Sequence, residues 1–81
     1  MAKGQEYGYN VIFEKEGDVY VATVPALNYS STFGESLEEA RAMVKEMIQL
    51  YLESLQEDGL ELPEPDTQGE TITERVSVAL A

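Results

Sequence analysis

Carboxylates are the side chains through which this chain could do chemistry, because it has sixteen Asp and Glu residues but neither His nor Cys. Nucleophilic catalysis by serine or cysteine needs a neighbouring base, usually histidine, so that route is closed. Paired carboxylates could act as general acid and base, or hold two metal ions from neighbouring strands. Only Glu14 and Glu74 fall in predicted strands. We therefore predict no catalytic residue, no metal site and no cofactor, and a protein that is not an enzyme.

The charge of the chain points away from nucleic acids. Sixteen acidic residues against five basic ones give a net charge of −11, which repels phosphate backbones and favours a basic partner. The alternative is that the acidic surface serves solubility alone. No run of about 18 apolar residues could cross a membrane, and residues 1–6 lack the apolar run and cleavage site of a secretory signal. We expect a cytoplasmic protein.

One long helix is predicted between Ser36 and Gly59. Ser36 can cap the first free N–H groups, while the carboxylate of Glu39 reaches back to the N–H of Ser36. Gly59 can take the left-handed conformation that ends a helix, and Gly34 is expected to turn the chain into it. Apolar residues recur every three or four positions, which predicts one buried face, at Leu37, Ala40, Val44, Met47, Ile48, Tyr51, Leu52 and Leu55.

Alternating apolar and polar residues predict strands at 7–14, 19–24, 29–33 and 71–80. The first two are separated by a short polar turn with a glycine and should form a hairpin. The order is strand, strand, strand, helix, strand, which predicts an α+β fold with an antiparallel sheet and one long helix. We expect a single domain over 1–81, with a flexible lead-in at 1–6 and a proline-containing connection at 60–70.

The helix carries a second apolar row, formed by Met43, Met47 and Leu50. With this row, the apolar face of the helix is wider than contact with one sheet requires. The row is either further core or a protein-binding surface, since methionine-rich helix faces adapt to partners. Leu27, Tyr29 and Phe33, near the third predicted strand, either pack locally against that strand or belong to a binding surface. The candidate partner or oligomer interface comprises Leu27, Tyr29, Phe33, Met43, Met47 and Leu50.

Glu74 falls on the apolar phase of the last predicted strand. An acidic residue there is either an edge charge that blocks unwanted strand pairing or the partner of an arginine. The candidates are Arg75, or Arg41 of another subunit. The sequence leaves these alternatives open.

Several segments together resemble the HicB-type antitoxin domain. They are Val24-Pro25-Ala26-Leu27, then Thr32-Phe33-Gly34-Glu35-Ser36-Leu37-Glu38-Glu39-Ala40, then Tyr51-Leu52-Glu53, Asp58-Gly59 and Leu62-Pro63-Glu64-Pro65. The resemblance covers residues 7 to 65. It implies a partial RNase H-like fold and a cytoplasmic protein that binds and neutralises a small basic mRNA-cleaving toxin of the HicA type. Relatives of this kind commonly form dimers or tetramers.

The chain departs from the family pattern in its first loop and in its acidic residues. Family members usually carry a Pro-Gly-Cys-like step where this chain has Asn28-Tyr29-Ser30. The strand-borne acids of RNase H are absent, so nuclease activity is not carried over. No DNA-binding domain is expected within residues 1–81.

The leading hypothesis is a non-catalytic antitoxin-like module that covers a basic toxin with its acidic surface and its exposed helix row. The alternative is a stand-alone homo-oligomeric structural or regulatory protein that has no toxin partner. A metal-dependent hydrolase with residual RNase H chemistry is a third possibility, for which we expect no activity.

Overall fold

The computed structural model describes residues 5–64 and 74–80. Four strands form one antiparallel sheet in the spatial order β3-β2-β1-β4. In chain order the elements are β1 (Gln5–Glu16), β2 (Val19–Val24), a 3-10 turn (Pro25–Leu27), β3 (Ser30–Gly34), the helix α1 (Leu37–Glu57) and β4 (Glu74–Leu80). This confirms the predicted α+β class and the β-β-β-α-β order.

Strand β1 is longer than the alternating pattern predicted, because it pairs with two different strands. Residues 5–11 pair with β4 and residues 12–16 pair with β2. Residues 5 and 6 therefore belong to the sheet, although a flexible lead-in was expected there. The hairpin closes in two residues, and Gly17 at its first position has a φ of 61°, which favours glycine. Residues 1–4 of the expected lead-in, 65–70 of the connection and 71–73 of the last predicted strand lie outside the described residues.

The core lies between one face of the sheet and α1. Alternate residues of three strands meet one side of the helix there, and the side chains of each row are almost fully buried. Burial of a valine, leucine or isoleucine side chain is worth about 1.5 to 3 kcal/mol, so this layer holds the helix on the sheet. Its members are Tyr9, Val11, Ala22, Val24, Val76, Val78 and Leu80 from the strands and Ala40, Val44, Ile48 and Leu52 from α1.

Hydrogen bonds at its two ends define α1. The hydroxyl of Ser36 accepts from the N–H of Glu39 at 3.0 Å, as predicted. The carboxylate of Glu39 accepts instead from the N–H of Glu35 at 2.6 Å, one residue before the predicted donor. At the other end Gly59 has a φ of 70°. The N–H of Gly59 donates to Gln56 and that of Leu60 donates to Leu55, which is the Schellman arrangement.

The segment after the helix is tied to the core. The ring of Tyr9 is fully buried, and its hydroxyl donates to the carbonyl of Pro63 at 2.7 Å. Leu62 also packs against the core. The chain therefore leaves α1 along a fixed path as far as Glu64. No helix in the described ranges is long and apolar enough to span a bilayer.

Candidate functional site

The six predicted interface residues do not share one environment. Leu27 is fully buried in the core. The other five reach the surface to different extents: Tyr29 is 70% exposed, Phe33 61%, Leu50 60% and Met43 40%, while Met47 is half-buried against the core. Leu27 therefore does not belong to the exposed surface of this chain.

Leu27 is buried because of the local backbone around it. Pro25 ends β2 and begins the 3-10 turn, which places Leu27 beside β1. Asn28 and Tyr29 then both take positive φ, at 60° and 59°, and return the chain to the sheet. The side-chain hydroxyl of Ser30 closes the loop by donating to the carbonyl of Leu27 at 2.7 Å.

Phe33 lies on the face of the sheet opposite α1. It stands directly across from Val21 in the β2–β3 register. A shallow cavity of about 310 Å³ lies here, lined by Val19, Val21, Ser31, Thr32 and Phe33. We call this the open-face patch. Phe33 is exposed here and Val19 and Val21 are half-buried, because α1 covers only the other face.

A second apolar surface lies on the helix side of the sheet. This groove, of about 490 Å³, has Thr32 of β3 on one side and residues of α1 on the other. We call it the helix-side groove, and its helix residues are Met43, Glu46, Met47, Leu50, Tyr51, Ser54 and Leu55. The predicted second row of α1 thus borders the sheet at β3.

Strand β3 separates the two surfaces and is an edge strand in the described part of the chain. Its residues, Ser30–Gly34, carry no charge. The opposite edge strand, β4, begins with Glu74 and Arg75. Charged residues on an edge discourage pairing with another chain, so β3 lacks a protection that β4 has.

Acidic residues line the outer side of α1. Glu39, Glu46 and Glu53 recur every seventh residue, which places them on one side of the helix, and all three are exposed. Glu46 also lines the helix-side groove. We call these three residues the acidic row. Their seven-residue spacing is visible in the sequence, but of the three only Glu39 was noted there, as part of the helix cap.

Glu74 is paired within its own chain. Its carboxylate accepts a hydrogen bond from Nε of Arg41 at 2.6 Å. This hydrogen bond raises the pKa of Arg41. The guanidinium of Arg41 also lies 6.0 Å from the ring centre of Phe13. The partner is therefore Arg41 of the same chain rather than of another subunit.

The two strand-borne carboxylates do not form a pair. Glu14 stands opposite Val21 on the open face, whereas Glu74 stands opposite the buried Val11 on the helix face. Within residues 5–64 and 74–80, no group of three or more acidic side chains is placed to hold a metal ion.

Comparison with known proteins gives a consistent set of relatives. A family model described as HicB-like antitoxin of bacterial toxin-antitoxin system matches residues 9–77. A UPF0150 protein of Thermoplasma acidophilum is 37% identical over 65 residues, which cover 79% of this chain and 94% of that protein. A UPF0150 protein of Synechocystis is 40% identical over 63 residues, covering 76% and 80%. One from Helicobacter pylori is 43% identical over 51 residues, covering 63% and 71%. No solved structure matches the chain significantly.

Proposed function

Because the chain belongs to the family of HicB-like antitoxins of bacterial toxin-antitoxin systems, we propose that it binds and neutralises a small basic mRNA-cleaving toxin of the HicA type. The family match over residues 9–77, which spans most of the sheet and all of α1, is the observation that carries this proposal. The net charge of −11 supports a basic partner. In this proposal the chain is not an enzyme, needs no cofactor, does not bind nucleic acid directly and works in the cytoplasm.

Neutralisation in this proposal is competition between carboxylates and phosphates. An RNA-cleaving protein needs cationic side chains to hold the RNA backbone. The acidic row offers exposed carboxylates to the same cations, and its field speeds the encounter of oppositely charged proteins. A toxin covered in this way cannot reach its RNA. The binding should therefore weaken as salt concentration rises.

The direct test is an RNA-cleavage assay with purified components. The probe is a small basic RNA-cleaving toxin of the HicA type, with a fluorescent mRNA as substrate. We expect cleavage to stop when the chain is present in equimolar amount, and light scattering to show a complex of the two proteins. Full cleavage in the presence of excess chain would contradict the proposal.

A pair of charge-reversal variants tests whether the acidic row makes the contact. The variant with Glu46→Lys and Glu53→Lys removes two members of the row. The control with Glu14→Lys and Glu16→Lys makes the same change in net charge at exposed positions near the hairpin. We expect the first to weaken inhibition much more than the second. Equal losses would mean that net charge matters and the row does not.

The second candidate function is a stand-alone homo-oligomer that has a structural or regulatory role and no toxin partner. The uncharged edge strand between two apolar surfaces favours it. A chain that self-associates and leaves the HicA-type toxin fully active would support this candidate over the first.

A further inference from the structure

We propose that Met43 and Met47 form an oxidation site, at which an oxidant of the peroxide class makes the helix-side groove polar while the fold is retained. Met43 is 40% exposed and Met47 is half-buried, and both line the groove. The chain has three methionines and no cysteine. No thiol of the same chain therefore competes with these thioethers for the oxidant.

The position of the two methionines on the helix makes them act on one surface. They are four residues apart in α1, so their side chains lie one above the other on the same side of the helix. Leu50, Tyr51 and Leu55 line the groove beside them. A methionine thioether is apolar and flexible, whereas its sulfoxide is polar and accepts hydrogen bonds. Two sulfoxides would therefore change the character of the whole groove.

The fold should survive this change because the core is built from other residues. The buried residues of α1 lie in a neighbouring row, at Ala40, Val44, Ile48 and Leu52. Met47 packs against the core only in part, and Met43 does not belong to it. Because both side chains reach the surface, water can hydrogen-bond to the sulfoxide oxygens, which avoids the cost of burying an unpaired polar group. Oxidation should lower Tm only slightly.

Each modification is a two-electron transfer of one oxygen atom. The thioether sulfur attacks one oxygen of hydrogen peroxide, the O–O bond breaks and an S–O bond forms. The proton on the transferred oxygen passes to the departing hydroxide, which leaves as water. The sulfur is oxidised and the peroxide is reduced. Reversal requires a methionine sulfoxide reductase. Two thiols supply the electrons and become a disulfide, and the oxygen leaves with their protons as water.

The consequence for a partner rests on the proposed function. Glu46 belongs both to the acidic row and to the groove, so a toxin held by that row lies against the two methionines. A carboxylate cannot donate a hydrogen bond to a sulfoxide oxygen. A sulfoxide covered by the toxin would therefore lose its bonds to water, and we expect inhibition to weaken by roughly 10- to 100-fold. Oxidation would release the toxin, and reduction would restore binding.

The first experiment uses the chain alone, treated with hydrogen peroxide. Peptide mass spectrometry should show one added oxygen on each methionine of the site, sooner on Met43 because it is more exposed. Circular dichroism should show a folded chain, and its retention on a hydrophobic-interaction column should fall. The control variant with Met43→Leu and Met47→Leu keeps apolar side chains of similar volume. It retains Met1, and peroxide should not alter its retention.

Three results of this experiment would overturn the proposal. The two methionines could stay unmodified under conditions that oxidise free methionine. The chain could unfold when they are oxidised, which would make them core residues. The retention of the oxidised chain could equal that of the untreated chain, which would mean that the groove had not become more polar.

The second experiment repeats the RNA-cleavage assay after the peroxide has been removed. Oxidised wild-type chain should be needed in roughly 10- to 100-fold greater amount than untreated chain, whereas the variant with both leucines should inhibit equally before and after treatment. Treatment with a methionine sulfoxide reductase should restore inhibition by the wild type. Equal inhibition by oxidised and untreated wild type would overturn toxin release. If untreated chain does not inhibit at all, the proposed function fails, and the first experiment alone decides the oxidation site.

Discussion

At the scale of single residues, Tyr29 holds a backbone conformation that suits glycine. Its φ is 59° and its N–H donates to the carbonyl of Pro25 at 3.4 Å. A left-handed conformation costs an L-residue about 1 to 2 kcal/mol, and glycine avoids that cost but loses about 0.5 to 1 kcal/mol of chain freedom on folding. We expect Tyr29→Gly to raise the free energy of unfolding by about 0.5 to 1 kcal/mol. Urea denaturation followed by circular dichroism measures this.

Tyr29→Ala is the control for the same position. It removes the ring, which is 70% exposed, but keeps a Cβ atom and therefore the strain. We expect alanine to give no gain in stability. If alanine stabilises as much as glycine does, the ring and not the backbone is responsible.

Residue-scale features were predictable where they depend on local chemistry. The bond between Ser36 and the N–H of Glu39 followed from spacing alone. Leu27 was grouped with exposed neighbours because a sequence pattern does not show that Asn28 and Tyr29 turn the chain and leave Leu27 inside. Arg41 as the partner of Glu74 likewise requires knowing that α1 passes over the start of β4.

At the scale of elements, Gly34 fixes how closely β3 and α1 approach. A Cβ atom there would lie 2.5 Å from the backbone nitrogen of Ala40 and 2.9 Å from the carbonyl carbon of Glu39. Its role is therefore close packing rather than a positive φ in the turn. Because backbone atoms cannot rotate away, we expect Gly34→Ala to lower the free energy of unfolding by about 1 to 3 kcal/mol. Thermal and urea denaturation would both report the loss.

Gly8→Ala is the matched substitution. A Cβ atom at Gly8 would also meet a neighbour at 2.5 Å, but that neighbour is the guanidinium of Arg75, at the end of a flexible and exposed side chain. We expect a smaller loss there than at Gly34, because the end of the Arg75 side chain can move aside whereas backbone atoms cannot. Equal costs at the two glycines would contradict the assignment of Gly34 as a packing residue.

The order of elements could be predicted, because periods of two and of three to four residues are local signals. The ends of the strands could not. Strand β1 begins at Gln5 because β4, more than sixty residues later, pairs with it. Position in the sheet is equally non-local. Nothing in the run around Phe33 indicates that β3 is an edge strand. The sequence therefore predicts one interface where β3 separates two surfaces.

At the scale of the whole molecule, net charge was readable from the sequence but its arrangement was not. The total of −11 predicted a basic partner without a location. The fold gathers Glu39, Glu46 and Glu53 on the outer side of α1, while Arg41 turns to Glu74. Charge that is dispersed in the unfolded chain is therefore concentrated on folding.

The same charge should make the fold salt-dependent. The Debye length is about 30 Å at 0.01 M salt and about 8 Å at 0.15 M, and the chain has a radius of gyration of 13.0 Å. At low salt the whole molecule therefore repels itself, and unfolding relieves that repulsion because the charges move apart. Screening weakens this advantage of the unfolded state. We expect Tm to rise with NaCl at neutral pH, measured by circular dichroism at a chain concentration low enough to keep it monomeric.

The variant with Glu46→Lys and Glu53→Lys separates this cause from general effects of salt. It moves the net charge from −11 to −7, since each reversal adds two, and its Tm should rise less with NaCl than that of the wild type. A chloride effect on apolar surface would act on both proteins alike. A Tm that falls with salt would mean that attractive pairs such as Arg41 and Glu74 outweigh the repulsion. The acidic surface would then not destabilise the folded state.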